Sequence, residues 1–176
     1  MIPFGEVVEI EFPNYEKYVD LIKDENLQKW KATSSLIVKG DQYNSTSNLA
    51  VDYRLEMIDF INAYLEKNNY PAVLFNEIKE PNSVEDLHKS VWVVKYETGG
   101  YVKMHDHVYD ANRFQTVSVI LTFEDFPRPT FFVNGQKFTD KKGWIRFHNS
   151  SEILHRTFPQ NKPRTVLVAD FAFKTI

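Results

Sequence analysis

His105 and His107 stand two residues apart in the run VWVVKYETGGYVKMHDH, and their types and spacing point directly to chemistry. On an extended strand, side chains at i and i+2 leave from one face, so this spacing sets two imidazoles side by side. Paired neutral imidazoles are the beginning of a divalent-metal site. The 176-residue chain contains no cysteine. That excludes disulfides, thiolate metal sites and cysteine nucleophiles, and leaves His, Asp and Glu as ligands. A third histidine, His155, stands in SSEILHR just before a strand-like run. A jelly roll gathers residues near neighbouring strand ends at its mouth, so His155 can join the pair there. Three imidazoles on one side of a divalent iron would leave positions for a bidentate ligand and for oxygen. The competing reading is three unrelated histidines on turns or on the surface.

Arg164 follows His155 by nine positions and opens the run RTVLVADF. Strand alternation turns Thr165, Leu167, Ala169 and Phe171 one way, and Arg164, Val166 and Val168 the other. An arginine inside an otherwise apolar barrel needs an anionic partner, and its planar fork suits a carboxylate. Read alone, Arg164 fits better as a surface residue at a strand start. Of the other histidines, His148 is expected to hydrogen-bond in a turn and His88 to lie on the surface. Trp92 and Trp144 are expected in the core. Asp106, Asp110, Asn112 and Arg113 make a polar loop that either meets substrate or is only a solvated turn.

The elements that must position these residues change character along the chain. Glu6 to Phe12 alternates and predicts a short strand. A helix is expected from Pro13-Asn14, with Asn14 as its N-cap, and a second from about Leu49 to Asn68, capped by Ser47 or Asn48. Between them, Lys31 to Asn48 reads as a long loop with one strand at most. From Pro71 onward, short apolar runs (AVLF, VWVVKY, YVKMH, QTVSVILTF, TFFV, WIRFH, TVLVADFAF) alternate with turn residues. Gly99-Gly100, Phe126-Pro127-Arg128-Pro129 and Asn134-Gly135 read as turns, the last as a hairpin. The expectation is one mainly β (α+β) domain over residues 1–176: a helical brace over about 13–70 and a jelly-roll, cupin-like barrel, or double-stranded β-helix, over about 71–176. A formal net charge of -3 gives no basic tract for nucleic acid. No apolar run reaches the length of a membrane span, and the acidic start MIPFGEVVEIEF does not resemble a signal peptide. A soluble, cytoplasmic protein without membrane association is therefore expected.

Taken in order, these pieces resemble the 2-oxoglutarate- and iron(II)-dependent oxygenases. The resemblance rests on Tyr96-x-x-Gly99, His105-Asp106-His107, the run from Gly143 through Leu154-His155, and Arg164-Thr165. It covers Val91 to Phe173. Most of the family carries Asp where this chain has His107; the sequence is most similar to a subgroup with H-x-H after a W-V-x-x-Y-x-x-G-G run. The resemblance implies a dioxygenase with iron(II) on His105, His107 and His155, with Asp110 as the alternative to His107. Asp106, between the two histidines, is turned to the opposite strand face. It implies 2-oxoglutarate as co-substrate, chelating the metal through its keto-acid end. Its far carboxylate would pair with Arg164, helped by Thr165 or by Tyr96 or Tyr101. The reaction implied is hydroxylation of a small-molecule or peptide substrate, with succinate and carbon dioxide as co-products. Two other classes compete: a cupin-like metal-binding protein or metalloenzyme that does not use 2-oxoglutarate, and a ligand-binding barrel without chemistry. The direction of Arg164 separates the first two, because only the oxygenase needs it inside.

Overall fold

The computed structural model describes residues 5–70, 72–75, 91–107 and 115–175. His88, Asp110, Asn112 and Arg113 lie outside them. The strands are β1 (Val8–Glu11), β2 (Leu27–Lys29), β3 (Ile37–Ser45), β4 (Ala72–Phe75), β5 (Val91–Val102), β6 (Gln115–Thr122), β7 (Phe126–Phe132), β8 (Lys137–Asp140), β9 (Trp144–Asn149), β10 (His155–Arg156) and β11 (Arg164–Thr175). A 3-10 helix spans Pro13–Ile22, a 3-10 turn spans Asp24–Asn26, and the helix α1 spans Leu49–Lys67.

The strands form two antiparallel sheets. The larger has eight strands, ordered β1-β9-β6-β11-β5-β3-β2, with β4 paired to the far end of β11. The smaller has three, ordered β10-β7-β8. A mostly β, jelly-roll type of fold is thus present, its strands sorted among the described residues into two sheets. One contact joins them beside the site: an antiparallel bridge between His105 and His155, with reciprocal N–H···O bonds of 3.1 Å.

Alternation sorts the large sheet into two faces. Val91, Val93, Val117, Val119, Leu121, Ile145, Phe147, Leu167, Ala169 and Phe171 form a continuous buried cluster with α1. The helix presents Ala50, Tyr53, Met57, Ile61 and Leu65 to it, a three-and-four spacing that makes one stripe on a 3.6-residue helix. The opposite face carries a second cluster, Trp92, Val94, Tyr96, Val102, Ile120, Val166 and Val168, and this face lines a cavity.

Several expected elements take a different form. The segment from Pro13 is a 3-10 helix whose N-cap is Phe12; Asn14 instead donates from its amide to Glu56 at 2.6 Å. Asn48 is the N-cap of α1 but makes no side-chain cap bond; the Ser47 hydroxyl accepts from the Leu49 N–H at 3.2 Å. The expected loop at 31–48 contains β3, nine residues paired along β5. The one strand allowed there is thus present, and it runs on through Ser, Asn and Gly residues because its partner β5 supplies the apolar signal. Gly99-Gly100 does not turn the chain but lies inside β5. A Cβ on Gly100 would come within 2.4 Å of the Lys39 carbonyl, and β3 shifts register between Val38 and Gly40, so these glycines let two backbones approach at a bulge. Phe126 to Pro129 is also strand: Gln160 accepts from the Arg128 N–H and donates to its carbonyl, replacing ladder bonds around the prolines. Asn134-Gly135 does turn the β7–β8 hairpin, with Gly135 at φ 93°.

Candidate metal centre

The three histidines singled out by spacing come together. His105, His107 and His155 each offer a ring nitrogen, and these atoms lie within 4.8 Å of one another. None sits in mid-strand. His105 and His107 follow the end of β5, and His155 opens β10. Backbone bonds hold them there: the His105–His155 bridge, and the His107 N–H donating to the Ser150 carbonyl at 2.9 Å. The ring centroids are 4.2 Å apart for His105–His155, 5.1 Å for His105–His107 and 5.5 Å for His107–His155.

Hydrogen bonds behind the rings decide which nitrogens face inward. His105 Nδ1 lies 2.8 Å from the Lys103 carbonyl, which can only accept. His107 Nδ1 lies 2.9 Å from Asp170 Oδ2. Both contacts assign the ring proton to Nδ1 and leave the Nε2 lone pair for a metal, the usual arrangement of a ligating histidine. His155 Nδ1 is buried and has no hydrogen-bond partner among the described residues.

The rings also differ in charge preference. Burial, then the neighbouring His107, hold the His105 pKa below its usual value. Burial, then His148, hold His155 well below it. Both are neutral imidazoles at neutral pH, the form that binds metal. Burial works against a charged His107 as well, but the Asp170 carboxylate outweighs it and raises the His107 pKa.

Arg164 lines the same cavity, of about 110 Å³, together with the three histidines, Tyr96, Thr157 and the apolar side chains of Trp92, Val102, Ile120, Val166 and Val168. The inward direction needed by the oxygenase reading is the one found. Arg164 is buried and meets a carboxylate of the chain itself: Nε donates to Asp140 Oδ2 at 2.6 Å and Nη2 to Oδ1 at 3.3 Å. Arg146 donates to the same carboxylate at 2.5 Å and to the Phe138 carbonyl at 2.9 Å. Desolvation alone would raise the Asp140 pKa, yet Arg164 and Arg146 lower it, so it is ionised. Two guanidiniums and one carboxylate leave this end of the cavity with one positive charge. Tyr96 lies beside it, the Arg164 guanidinium 5.5 Å from its ring centroid. Burial pushes the Tyr96 pKa up to about 12, so its hydroxyl stays protonated.

Thr165 and Tyr101 are placed differently. Thr165 borders a surface depression on the other side of β11 with Lys95, Asp41 and Tyr43. Tyr101 pairs with Val38 and does not line the cavity, whereas its neighbour Val102 does. Thr157 lines the cavity with Arg164, and its hydroxyl accepts from the Val102 N–H at 3.0 Å. Trp92 is core and cavity wall at once, its ring stacked on His107 at 6.0 Å. His148 is not in a turn: it is buried in β9, 5.0 Å from the His155 ring, with both ring nitrogens unpartnered among the described residues. Burial, then His107, push its pKa down to about 3, so it is neutral.

No family profile matches the chain, and no curated protein matches it in sequence. Solved structures do match in fold. A prolyl hydroxylase from Trichoplax adhaerens, in complex with a hypoxia inducible factor oxygen degradation domain peptide, superposes with a TM-score of 0.63 at 9% identity, covering 97% of this chain and 84% of that one. A Pseudomonas putida prolyl-4-hydroxylase gives 0.59 at 11% identity over 94% and 91% of the two chains. HygX from Streptomyces hygroscopicus, with nickel, 2-oxoglutarate and hygromycin B bound, gives 0.59 at 12% identity over 98% and 84%. The chain therefore shares the jelly-roll fold of 2-oxoglutarate-dependent oxygenases.

Proposed function

We propose that this protein is an iron(II)- and 2-oxoglutarate-dependent dioxygenase that hydroxylates a small-molecule or peptide substrate. The observation that carries this reading is that three metal-ready imidazoles and the buried Arg164, itself tied through Asp140 to Arg146, line one cavity. His105, His107 and His155 would hold the iron, with Asp110 as the alternative to His107. Bound there with 2-oxoglutarate, iron would supply the activation of molecular oxygen, the oxidant whose two atoms end in succinate and in the hydroxylated product as carbon dioxide is released.

The chain's own residues supply binding, orientation and exclusion of water. Arg164, braced by Asp140, offers its remaining N–H donors to the far carboxylate of 2-oxoglutarate; Tyr96 and Thr157 flank it. The single excess positive charge of the Arg146–Asp140–Arg164 cluster matches one carboxylate. The apolar wall of Trp92, Val102, Ile120, Val166 and Val168 lowers the local dielectric and strengthens that pairing. HygX, similar in fold, holds nickel and 2-oxoglutarate together. A cupin-like centre that dispenses with 2-oxoglutarate accounts for the histidines but gives Arg164 no task inside the cavity.

Anaerobic iron(II) titration followed by addition of 2-oxoglutarate and oxygen tests the proposal. The expected result is metal-dependent 2-oxoglutarate binding and succinate formation. Metal binding with no effect of 2-oxoglutarate favours the cupin-like reading and overturns this one.

A further inference from the structure

A site of two histidines and one carboxylate brings one negative charge into direct contact with its divalent metal. Three neutral imidazoles bring none. The structure places a carboxylate immediately behind one of them. Asp170 is fully buried, on the cavity-facing parity of β11 shared with Arg164, Val166 and Val168. Its Oδ2 accepts from His107 Nδ1 at 2.9 Å, and its Oδ1 accepts from the Ser118 hydroxyl. Ser118 pairs with Asp170 across the β11–β6 ladder, lies 3.0 Å from the same His107 nitrogen and 2.9 Å from Ser150 Oγ. Trp92 covers a face of the imidazole. The other acidic residue close to the histidines among those described, Asp106, is exposed.

Resting on the reading that the three histidines hold a divalent metal, we propose that Asp170 is a positioning residue that fixes His107 for coordination and supplies, through that imidazole, the negative charge a carboxylate ligand would bring. Three observations carry this. The contact is to Nδ1, so the lone pair left over is on Nε2, in a ring that offers a ligand atom within 4.8 Å of those of His105 and His155. The carboxylate is fully buried, so its charge is little screened and is felt across the ring. It is also pre-oriented: Ser118 holds one oxygen, and β11 is anchored at this point by Arg54 of α1, whose Nη1 donates to the Asp170 carbonyl at 2.7 Å. A histidine in place of a carboxylate ligand thus comes with a compensating carboxylate one residue deeper. The Asp170–His107 pair and the metal act as a carboxylate–histidine–metal relay, in which loss of the outer partner typically weakens metal binding by about 10- to 100-fold.

The experiment is a charge relocation read by metal affinity, independent of turnover. Cobalt(II) or iron(II) is titrated anaerobically into the metal-free protein and into Asp170→Asn, His107→Asp and the double variant His107→Asp/Asp170→Asn, each checked for folding by circular dichroism. Asp170→Asn keeps the shape and removes the charge, and an affinity loss of about 10- to 100-fold is expected. His107→Asp alone sets two carboxylates against each other in a buried place and is expected to bind metal poorly. The double variant moves the single negative charge onto the ligand position and is expected to bind more tightly than either single variant. A merely structural Asp170 does not produce that rescue. Should Asp170→Asn fail to fold, Ser118→Ala loosens the carboxylate without removing it and is expected to weaken binding several-fold. Affinity unchanged in Asp170→Asn or Ser118→Ala, or additive losses in the double variant, overturns the proposal and leaves the metal centre intact. No metal binding by the unaltered protein overturns the centre itself.

Discussion

Among the described residues two aspartates, Asp140 and Asp170, are buried beside the cavity, and they are held in opposite ways. Asp140 lies between two guanidiniums, Arg146 and Arg164, in a cluster with positive charge to spare. Asp170 has among its ring and hydroxyl partners His107 and Ser118. Removing a charge from water is costly, and both carboxylates offset that cost with hydrogen bonds at both oxygens. The surroundings then assign them different tasks. Asp140 makes an arginine pair tolerable in the interior and holds Arg164 still, so that end receives an anion. Asp170 polarises an imidazole, so that end receives a cation. A dianion with a chelating head and a distant carboxylate fits between two such ends.

The largest effect should come from breaking the arginine end. Asp140→Ala leaves two buried guanidiniums without their shared carboxylate and is expected to cost about 3–5 kcal/mol of stability, read from urea unfolding. A loss below about 1 kcal/mol would mean that the arginines find other partners. Next, Arg164→Ala should weaken 2-oxoglutarate binding by roughly 1.5–3 kcal/mol, about 10- to 150-fold, while cobalt(II) affinity in the absence of 2-oxoglutarate stays as it was. Equal losses of both affinities would erase the division between the two ends.

The stability contribution of Asp140 should also depend on pH. Its pKa is lowered in the folded protein, so its stabilisation is fully present above the unfolded-state value of about 4. It is lost as pH falls through the lowered folded value. The stability gap between the unaltered protein and Asp140→Asn should therefore be constant from neutral pH to about pH 5 and shrink below about pH 4. A gap that widens on acidification contradicts the ion pairing. The smallest effect is expected on the outer side of the sheet. Thr165→Val and Tyr101→Phe should change stability by about 0.5 kcal/mol or less and leave 2-oxoglutarate affinity unchanged in a binding titration. A tenfold loss in either would place its hydroxyl in the cavity.

What the sequence made legible follows from two periodicities. Alternation along RTVLVADF puts Arg164, Val166 and Val168 on the cavity face and Leu167, Ala169 and Phe171 against α1, and the fold keeps that division. The same count reaches Asp170, two positions beyond Val168, whose partner His107 is too distant in sequence for spacing to connect. The spacing of His105 and His107 pointed to a shared face, and the three rings do converge, though beyond the end of β5 and not within a strand. Local pattern could not supply what depends on a distant partner. Asp140 ends β8 and meets Arg164 only after the small sheet folds over the large one. β3 is longer than the single short strand its polar sequence suggests because β5 completes it. Thr157 reaches the Arg164 end from an irregular segment that no period describes.

The most direct measurement is a crystal structure of the protein loaded anaerobically with iron(II) and 2-oxoglutarate. The account predicts iron on His105, His107 and His155, with His107 still bonded to Asp170, and the distal carboxylate of 2-oxoglutarate against Arg164. Iron held by Asp110 with His107 turned away, or a 2-oxoglutarate carboxylate that does not meet Arg164, would contradict it.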